Sequence, residues 1–148
     1  MSLQNKIDED LKSAMVSKDA DRLSVLRMLK SAVKYGAIEK KQAELSDADV
    51  LQVIQKQIKQ RRESIEQFSK GARADLAAKE AKEAEILERY LPKQLSEAEL
   101  AQFVTAEVKT AGAASKKDFG RMMKILTEKL KGQADAKRVS EILGRLLP

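Results

Sequence analysis

Residues 91–100 read LPKQLSEAEL, and this short stretch divides the chain into two parts. The residue before a proline is disfavoured in the helical region, so Pro92 predicts the end of a helix. Ser96 and Glu99 form the pattern of a capping box, which predicts that a new helix begins directly after Ser96. The stretch therefore predicts a boundary between two helical units, residues 1–92 and residues 93–148.

Long helices are predicted on the N-terminal side of this boundary. Apolar residues recur there at spacings of three and four, which is the period of a helix with one buried face. A capping pattern at Ser46 predicts that a helix begins there, and Gly71 is the position where this helix would end. The predicted helices cover approximately residues 3–17, 47–69 and 73–90, and a further helix begins after Asp19 or Asp21 and reaches about residue 40. We expect them to pack as a bundle.

Three short helices are predicted on the C-terminal side. The first follows Ser96 and stops at Gly112, and the second follows Ser115 and stops at Gly132. Asp135 is placed to cap the third helix. No stretch shows the alternation typical of a strand. The expected fold class is therefore all-α, an N-terminal bundle of long helices followed by a small C-terminal three-helix unit.

Composition excludes several classes of chemistry. The 148 residues include no cysteine and no histidine. Disulfides, zinc–thiolate sites, cysteine nucleophiles and Ser-His-Asp triads are therefore excluded. No pair of carboxylates suggests acid–base catalysis, so we expect no catalytic residue, no metal and no cofactor. No apolar run approaches the length that spans a membrane, and the N-terminus lacks the apolar region of a signal peptide. The expected location is the cytoplasm.

Positive charge is concentrated near the C-terminus. The formal net charge is +6, and residues 93–148 carry 11 lysines and arginines against seven acidic residues. Within residues 116–138 there are eight basic residues and three acidic ones. The basic residues are Lys116, Lys117, Arg121, Lys124, Lys129, Lys131, Lys137 and Arg138. Such a run is typical either of a surface that binds phosphates or of a helix face that is merely solvated.

Helical spacing helps to place this basic run. Lys117, Arg121 and Lys124 are separated by four and three residues, so they share one helix face. That face lies opposite Met122 and Leu126, which predicts that it is exposed.

Other features leave alternatives open. The segment IKQRRESIEQF (residues 58–68) could be a second nucleic-acid face, or its acidic residues could pair with nearby lysines and arginines along the same helix. Gly120 lies inside a helical pattern, where we favour a close helix crossing over direct approach of a ligand. The methionines are expected to fill the core. Those named are Met15, Met28, Met122 and Met123.

Several segments together resemble a known family. LPKQLSEAEL (91–100), FGRMMK (119–124) and LKGQADAKRVSEIL (130–143) resemble the GatB/YqeY domain. RLSVLRMLKSAVK (22–34) and the basic segment 58–68 resemble the first half of stand-alone YqeY-like proteins. The resemblance covers essentially the whole chain in order, and it implies an all-helical, two-part architecture.

The resemblance also implies a function. A related tail on the B subunit of the tRNA-dependent Asp/Glu amidotransferase contacts tRNA, and similar modules are appended to some glutaminyl-tRNA synthetases. The positions here that match the tail motif are Gly120, Gly132, Asp135 and Lys137. The family commonly has a glycine between the positions of Asp135 and Lys137, whereas this chain has Ala136. An alanine adopts a positive φ less easily, so a close approach of this backbone to a phosphate would be weaker. The implied partners are tRNA and a synthetase or amidotransferase component.

The resemblance does not imply an enzyme. The catalytic cradle of the B subunit lies outside its tail, and no amidase Ser-Lys signature is present here. A label of carbon–nitrogen ligase activity with glutamine as amido-N-donor would be inherited through the shared domain. We therefore expect a non-catalytic accessory protein that binds tRNA through its basic C-terminal unit. The alternative is a protein-interaction module in translation, with an apolar groove and no RNA contact.

Overall fold

The computed structural model describes residues 2–148, and these residues form seven α-helices, one short 3₁₀ helix and no strand. The all-α prediction is confirmed. The first four helices are α1 (Leu3–Ser17), α2 (Ala20–Glu39), α3 (Asp47–Lys70) and α4 (Ala74–Glu88). After them come α5 (Glu97–Ala111), a 3₁₀ turn (Lys116–Asp118), α6 (Phe119–Lys129) and α7 (Ala136–Leu146). The chain divides into two compact units, the first ending at Leu91 and the second beginning at Pro92.

Side-chain caps fix the starts of the helices where the sequence predicted them. Ser46, Ser96 and Asp135 each accept a hydrogen bond from a backbone N–H in the first turn of the following helix. Gly112 ends α5 with a φ of 67°, which is the left-handed conformation typical of a glycine after a helix. Gly132 was predicted to have the same role, but α6 is already capped by Leu130, and Gly132 lies in the following loop.

The first unit is built from α1 to α4 around an aliphatic core, and α3 and α4 lie side by side as an antiparallel pair. The largest side chains of this core are fully buried because they recur on one face of each helix. They include Ile7, Leu26, Leu29, Ile54 and Leu87. Met15 and Met28 were expected in this core, but 53% and 54% of their surface is exposed.

The segment 58–68 does not present a continuous basic face. Arg61 is only 7% exposed, and its guanidinium lies between the carboxylates of Glu80 and Glu83 on α4. Arg62 pairs with Glu88 on α4 at 2.9 Å, not with an acidic residue of its own helix. Ion pairs from this segment therefore hold α3 against α4. Because Arg61 and Arg62 are paired, a second nucleic-acid face at this segment would lack two of the cations that suggested it.

The second unit has a separate core formed by α5, α6 and α7. Leu100, Val104, Met122, Leu126 and Leu143 are fully buried in it. The prediction that methionine fills the core is therefore correct for Met122, and Met123 packs at the edge of the same core. The chain end also joins this unit, because the N–H of Lys116 donates to the carbonyl oxygen of Pro148 at 3.3 Å.

Candidate nucleic-acid interface

The middle of the basic run is exposed on α6 and directly before it. Arg121 and Lys124 lie on α6 and are exposed, while Met122 and Leu126 on its opposite side are fully buried. Lys117 is also exposed, but it lies in the 3₁₀ turn before α6 and not in the same helix. The predicted division of this helix into a charged and an apolar face is confirmed for Arg121 and Lys124. It follows because successive residues turn by about 100° around an α-helix.

Arg121 is held by its own surroundings. Its guanidinium contacts the carboxylate of Asp118 at 3.2 Å and the carbonyl oxygen of Ala111 at 3.5 Å. Asp118 also accepts the N–H of Ala114 at 3.0 Å. That backbone hydrogen bond, together with the one from Arg121, lowers the pKa of the Asp118 carboxyl below its usual range. Asp118 is therefore ionised at neutral pH, and it offsets much of the charge of Arg121.

Lys129 is also paired. Its Nζ lies 2.8 Å from Glu107 Oε2 on α5. This ion pair joins residues 22 positions apart, so it could not be read from spacing along one helix. Lys129 therefore links α5 to α6 and is less available to an outside anion.

The other six predicted cations have no carboxylate within 4.0 Å among residues 2–148. Most of them are exposed, and Arg138 is half-buried. They are Lys116, Lys117, Lys124, Lys131, Lys137 and Arg138. The charge at these positions is therefore not neutralised within the unit.

These six residues do not form a single patch. Lys116 and Lys117 precede α6, whereas Lys131, Lys137 and Arg138 lie around the loop that follows it. An 11-residue helix is about 16 Å long, and this length separates the two groups. Lys124 lies on the helix between them. A polyanion that contacts both groups must therefore span the length of α6.

The segment before α5 adds a cation that the sequence prediction missed. The N–H of Leu95 donates to the carbonyl oxygen of Gln133 at 3.0 Å, and the side-chain amide of Gln94 donates to the carbonyl oxygen of Gly132. These bonds hold the segment against the loop between α6 and α7. Lys93 is exposed and adjoins this contact, so it joins the cations at the loop end. The sequence offered one signal for this role, namely that Lys93 lies in the LPKQL segment directly before α5.

The tail-motif residues have structural roles that the geometry specifies. Asp135 Oδ1 accepts the N–H of Lys137 at 3.0 Å and so caps α7. Gly132 has a φ of 74°, which favours glycine over other residues. Ala136 begins α7 without a positive φ, so its backbone conformation does not require the glycine that is common in related domains.

Gly120 does not mark a close helix crossing. A Cβ atom added at this position would meet no atom within 4 Å, and the residue is exposed. The expectation of a tight helix contact there is wrong, because the α6 face that carries Gly120 points away from α5 and α7.

Two kinds of site are missing from the described part of the chain. Within residues 2–148 no three side chains of the metal-binding types lie close enough to hold an ion. None of the helices there combines the length and the apolar character required to cross a membrane.

Comparison with known proteins gives the family. Residues 4–147 match the family described as "Yqey-like protein". The chain belongs to this family. The resemblance to YqeY-like proteins is thus confirmed over nearly the whole sequence.

Curated relatives of this YqeY-like chain occur in yeasts. "Uncharacterized protein C22F3.15" of Schizosaccharomyces pombe is 38% identical over 95 residues, which are 64% of this chain and 76% of that protein. "Altered inheritance of mitochondria protein 41, mitochondrial" of Kluyveromyces lactis is 40% identical over 84 residues, 57% of this chain and 45% of that protein. Its namesake in Saccharomyces cerevisiae (strain YJM789) is 30% identical over 139 residues, 93% of this chain and 66% of that protein.

The lengths and names of these relatives limit what they imply. The match spans less than half of the Kluyveromyces protein and about two thirds of the Saccharomyces protein. Two of the names place the yeast proteins in mitochondria, and none of them states an activity or a binding partner.

Proposed function

We propose that this protein is a non-catalytic accessory protein that acts in the cytoplasm and binds tRNA through its C-terminal unit. The observation that carries the proposal is that six of the eight cations in residues 116–138 have no carboxylate within 4.0 Å among residues 2–148, in a unit with 11 basic and seven acidic residues. Each cation that meets a phosphate displaces condensed counterions, which makes binding favourable at low salt. The resemblance to tRNA-contacting tail domains supports tRNA as the polyanion.

Recognition would rest on the shape and backbone of the RNA. The two groups of cations are separated by the length of α6, about 16 Å, so they would contact phosphates on different parts of a folded RNA. The second unit contains two aromatic residues, Phe103 and Phe119, and both pack against its core. They do not form an exposed platform for stacking unpaired bases, which is how single-stranded RNA is usually read.

The test is tRNA binding by filter retention at several salt concentrations. The variant is Lys117→Gln/Lys124→Gln/Lys137→Gln, which removes one unpaired cation from each end of α6 and one from its middle. The matched control is Lys12→Gln/Lys56→Gln/Lys59→Gln, which removes three exposed lysines of the first unit that have no carboxylate within 4.0 Å in the described part of the chain. Both variants change the net charge by the same amount.

The expected result is a steep salt dependence that only the second-unit variant weakens. Each lost phosphate contact should reduce the magnitude of the slope of log K against log salt by about 0.7–0.9. The control should keep both the affinity and the slope of the wild type. A binding constant that does not change with salt would refute the proposal, as would equal losses in the two variants.

The proposal includes no catalysis by this chain. Purified protein incubated with mischarged Glu-tRNA and glutamine should produce no Gln-tRNA beyond a protein-free control. Turnover proportional to protein concentration would show instead that the chain carries an amidotransferase activity of its own.

A second candidate function is a protein-interaction module, as the sequence left open. Its support lies in the first unit, where Met28, Tyr35 and Ile38 on α2 expose 54%, 64% and 65% of their surface. Exposed large apolar side chains are a feature of surfaces that another protein covers. If this function is the correct one, Tyr35→Ser/Ile38→Ser should abolish partner capture, and the lysine variants should not affect it.

A further inference from the structure

A pocket of about 400 Å³ lies in the first unit between α1, the second half of α2 and the residues that follow α2. Ile7, Val33 and Ala37 contribute to its lining, and each is at most 6% exposed. Ile38 also lines the pocket and is 65% exposed. The volume is in the range of known ligand pockets, and it is large enough for a leucine or phenylalanine side chain.

The edge of the pocket is positively charged. Lys30 pairs with Asp8 at 3.1 Å, so these two charges offset one another. Lys34 also lines the pocket, is exposed, and has no carboxylate within 4.0 Å among the described residues. An acidic group on the occupant would therefore find an unpaired cation beside an apolar floor.

From the apolar floor and the unpaired cation we infer that the pocket docks an acidic segment of a partner protein. One large apolar side chain would lie against Ile7, Val33 and Ala37. A neighbouring aspartate or glutamate would pair with Lys34. A second copy of this chain fits poorly, because each copy carries a net charge of +6 and would bring positive surface against Lys34.

The test is an NMR titration of the full chain with model peptides. The probe is the acetylated and amidated peptide Glu-Glu-Leu-Leu-Glu-Glu. Its controls are Glu-Glu-Ser-Ser-Glu-Glu, which lacks the apolar anchor, and Lys-Lys-Leu-Leu-Lys-Lys, which reverses the charge. The first peptide should shift the amide signals of Val33 and Ala37 in a saturable way, with a dissociation constant of roughly 1 mM. Neither control peptide should do so.

One variant with a matched control tests the assigned cation. Lys34→Glu should weaken binding of the acidic peptide by about tenfold, and Lys59→Glu, at an exposed lysine of α3, should leave it unchanged.

Several outcomes would overturn the inference. One is the absence of saturable shifts at these amides. Another is equal weakening by Lys34→Glu and Lys59→Glu, which would indicate non-specific attraction of the peptide to a basic protein. Tighter binding of octanoate at the same amides would assign the pocket to a fatty acid. Shifts of these amides on simple dilution of the protein would assign it to a second copy of the chain.

Discussion

The ion-pair cluster between α3 and α4 allows a quantitative prediction. Arg61 is 7% exposed and Glu83 is 6% exposed, so both charges of this pair are removed from water. Arg61 Nη1 contacts Glu83 and also Glu80 Oε2, the latter at 3.1 Å. Replacing Arg61 with Met keeps the length of the side chain but leaves Glu83 buried without a counter-charge. Breaking a buried pair in this way typically costs about 3–5 kcal/mol.

The neighbouring residue is a matched control. Arg62 makes the same kind of bond to the same helix, at 2.9 Å from Glu88, but its side chain is 58% exposed and that of Glu88 is 41% exposed. An ion pair in water contributes about 0–1 kcal/mol. Arg62→Met should therefore have a small effect. The two variants have identical composition and differ in burial of the pair they break.

The assay follows unfolding of the first unit in urea at neutral pH. The chain has two tyrosines, Tyr35 and Tyr90, and both lie in the first unit, so tyrosine fluorescence reports on that unit and not on the second. Linear extrapolation then gives the free energy of unfolding of each variant. The double variant Arg61→Met/Glu83→Leu should recover most of the loss, because apolar replacement of both partners is often neutral or stabilising.

Two results would refute this reasoning. If Arg61→Met costs no more than Arg62→Met, burial does not set the free energy of the pair. If the double variant is as unstable as Arg61→Met alone, the loss comes from side-chain packing and not from an unpaired carboxylate.

Three further predictions concern local features. Gly144→Ala should stabilise the second unit by about 0.5–1 kcal/mol, because an added Cβ atom meets no atom within 4 Å. Gly112→Ala should destabilise the same unit, because Gly112 has a φ of 67°, which an alanine adopts only with strain. Urea unfolding followed by circular dichroism measures the stability of both variants. Asp135→Ala should lower the free energy of unfolding by about 1 kcal/mol, because it removes the cap of α7. Asp135→Asn should lower it by only about a few tenths of a kcal/mol, because asparagine also caps helices. Equal losses in the two variants, measured by the same assay, would contradict the assigned role of the cap. Burial and the 2.5 Å bond to Asp10 raise the pKa of the Tyr90 hydroxyl above its usual value of 10.0, so the unfolded chain loses this proton first and stability falls as pH rises above that value. Tyr90→Phe should flatten this decline, and an unchanged pH profile would contradict the assignment.

The fold was predictable because its signals are local. The caps at Ser46, Ser96 and Asp135 each act within the first turn of the helix they begin. The apolar spacing of each helix is likewise set by residues three and four positions apart. The ion pairs of Arg61 could not be predicted from local signals. Arg61 continues the buried stripe of Ile54 and Ile58 on α3, so spacing indicates that its charge is buried. Its partners, however, lie 19 and 22 residues away on another helix.

The candidate interface was predictable only in part. The exposed face with Arg121 and Lys124 follows from helical spacing, which fixes directions within one element. Lys117 is exposed as well, but the 3₁₀ turn that contains it was not predicted. The pairing of Lys129 with Glu107, and the approach of the Lys93 segment to the loop before α7, depend on how elements pack. The pocket lined by Ile38 has the same origin, because residues of α1, α2 and the segment after α2 form it together.

The two units differ in how their charges are used. In the first unit seven of 18 basic side chains lie within 4.0 Å of a carboxylate, whereas in the second unit two of 11 do, among the described residues. Unpaired like charges repel one another and destabilise a compact state. A phosphate polymer that binds only the folded unit would relieve this repulsion and add a free energy that grows with its concentration.

This difference leads to a last prediction. Adding tRNA should raise the urea midpoint of the second unit, followed by amide signals of α6 and α7, and should leave the tyrosine signal of the first unit unchanged. Lys117→Gln/Lys124→Gln/Lys137→Gln should keep or increase the midpoint without tRNA, because it reduces repulsion, and should lose the increase that tRNA causes. If these lysines only form a solvated face, the variant should still keep or increase the midpoint without tRNA, but tRNA should not stabilise the wild type. Loss of stability in the variant without tRNA would mean that these lysines hold the fold together, and would contradict the assignment of their charge to an external phosphate.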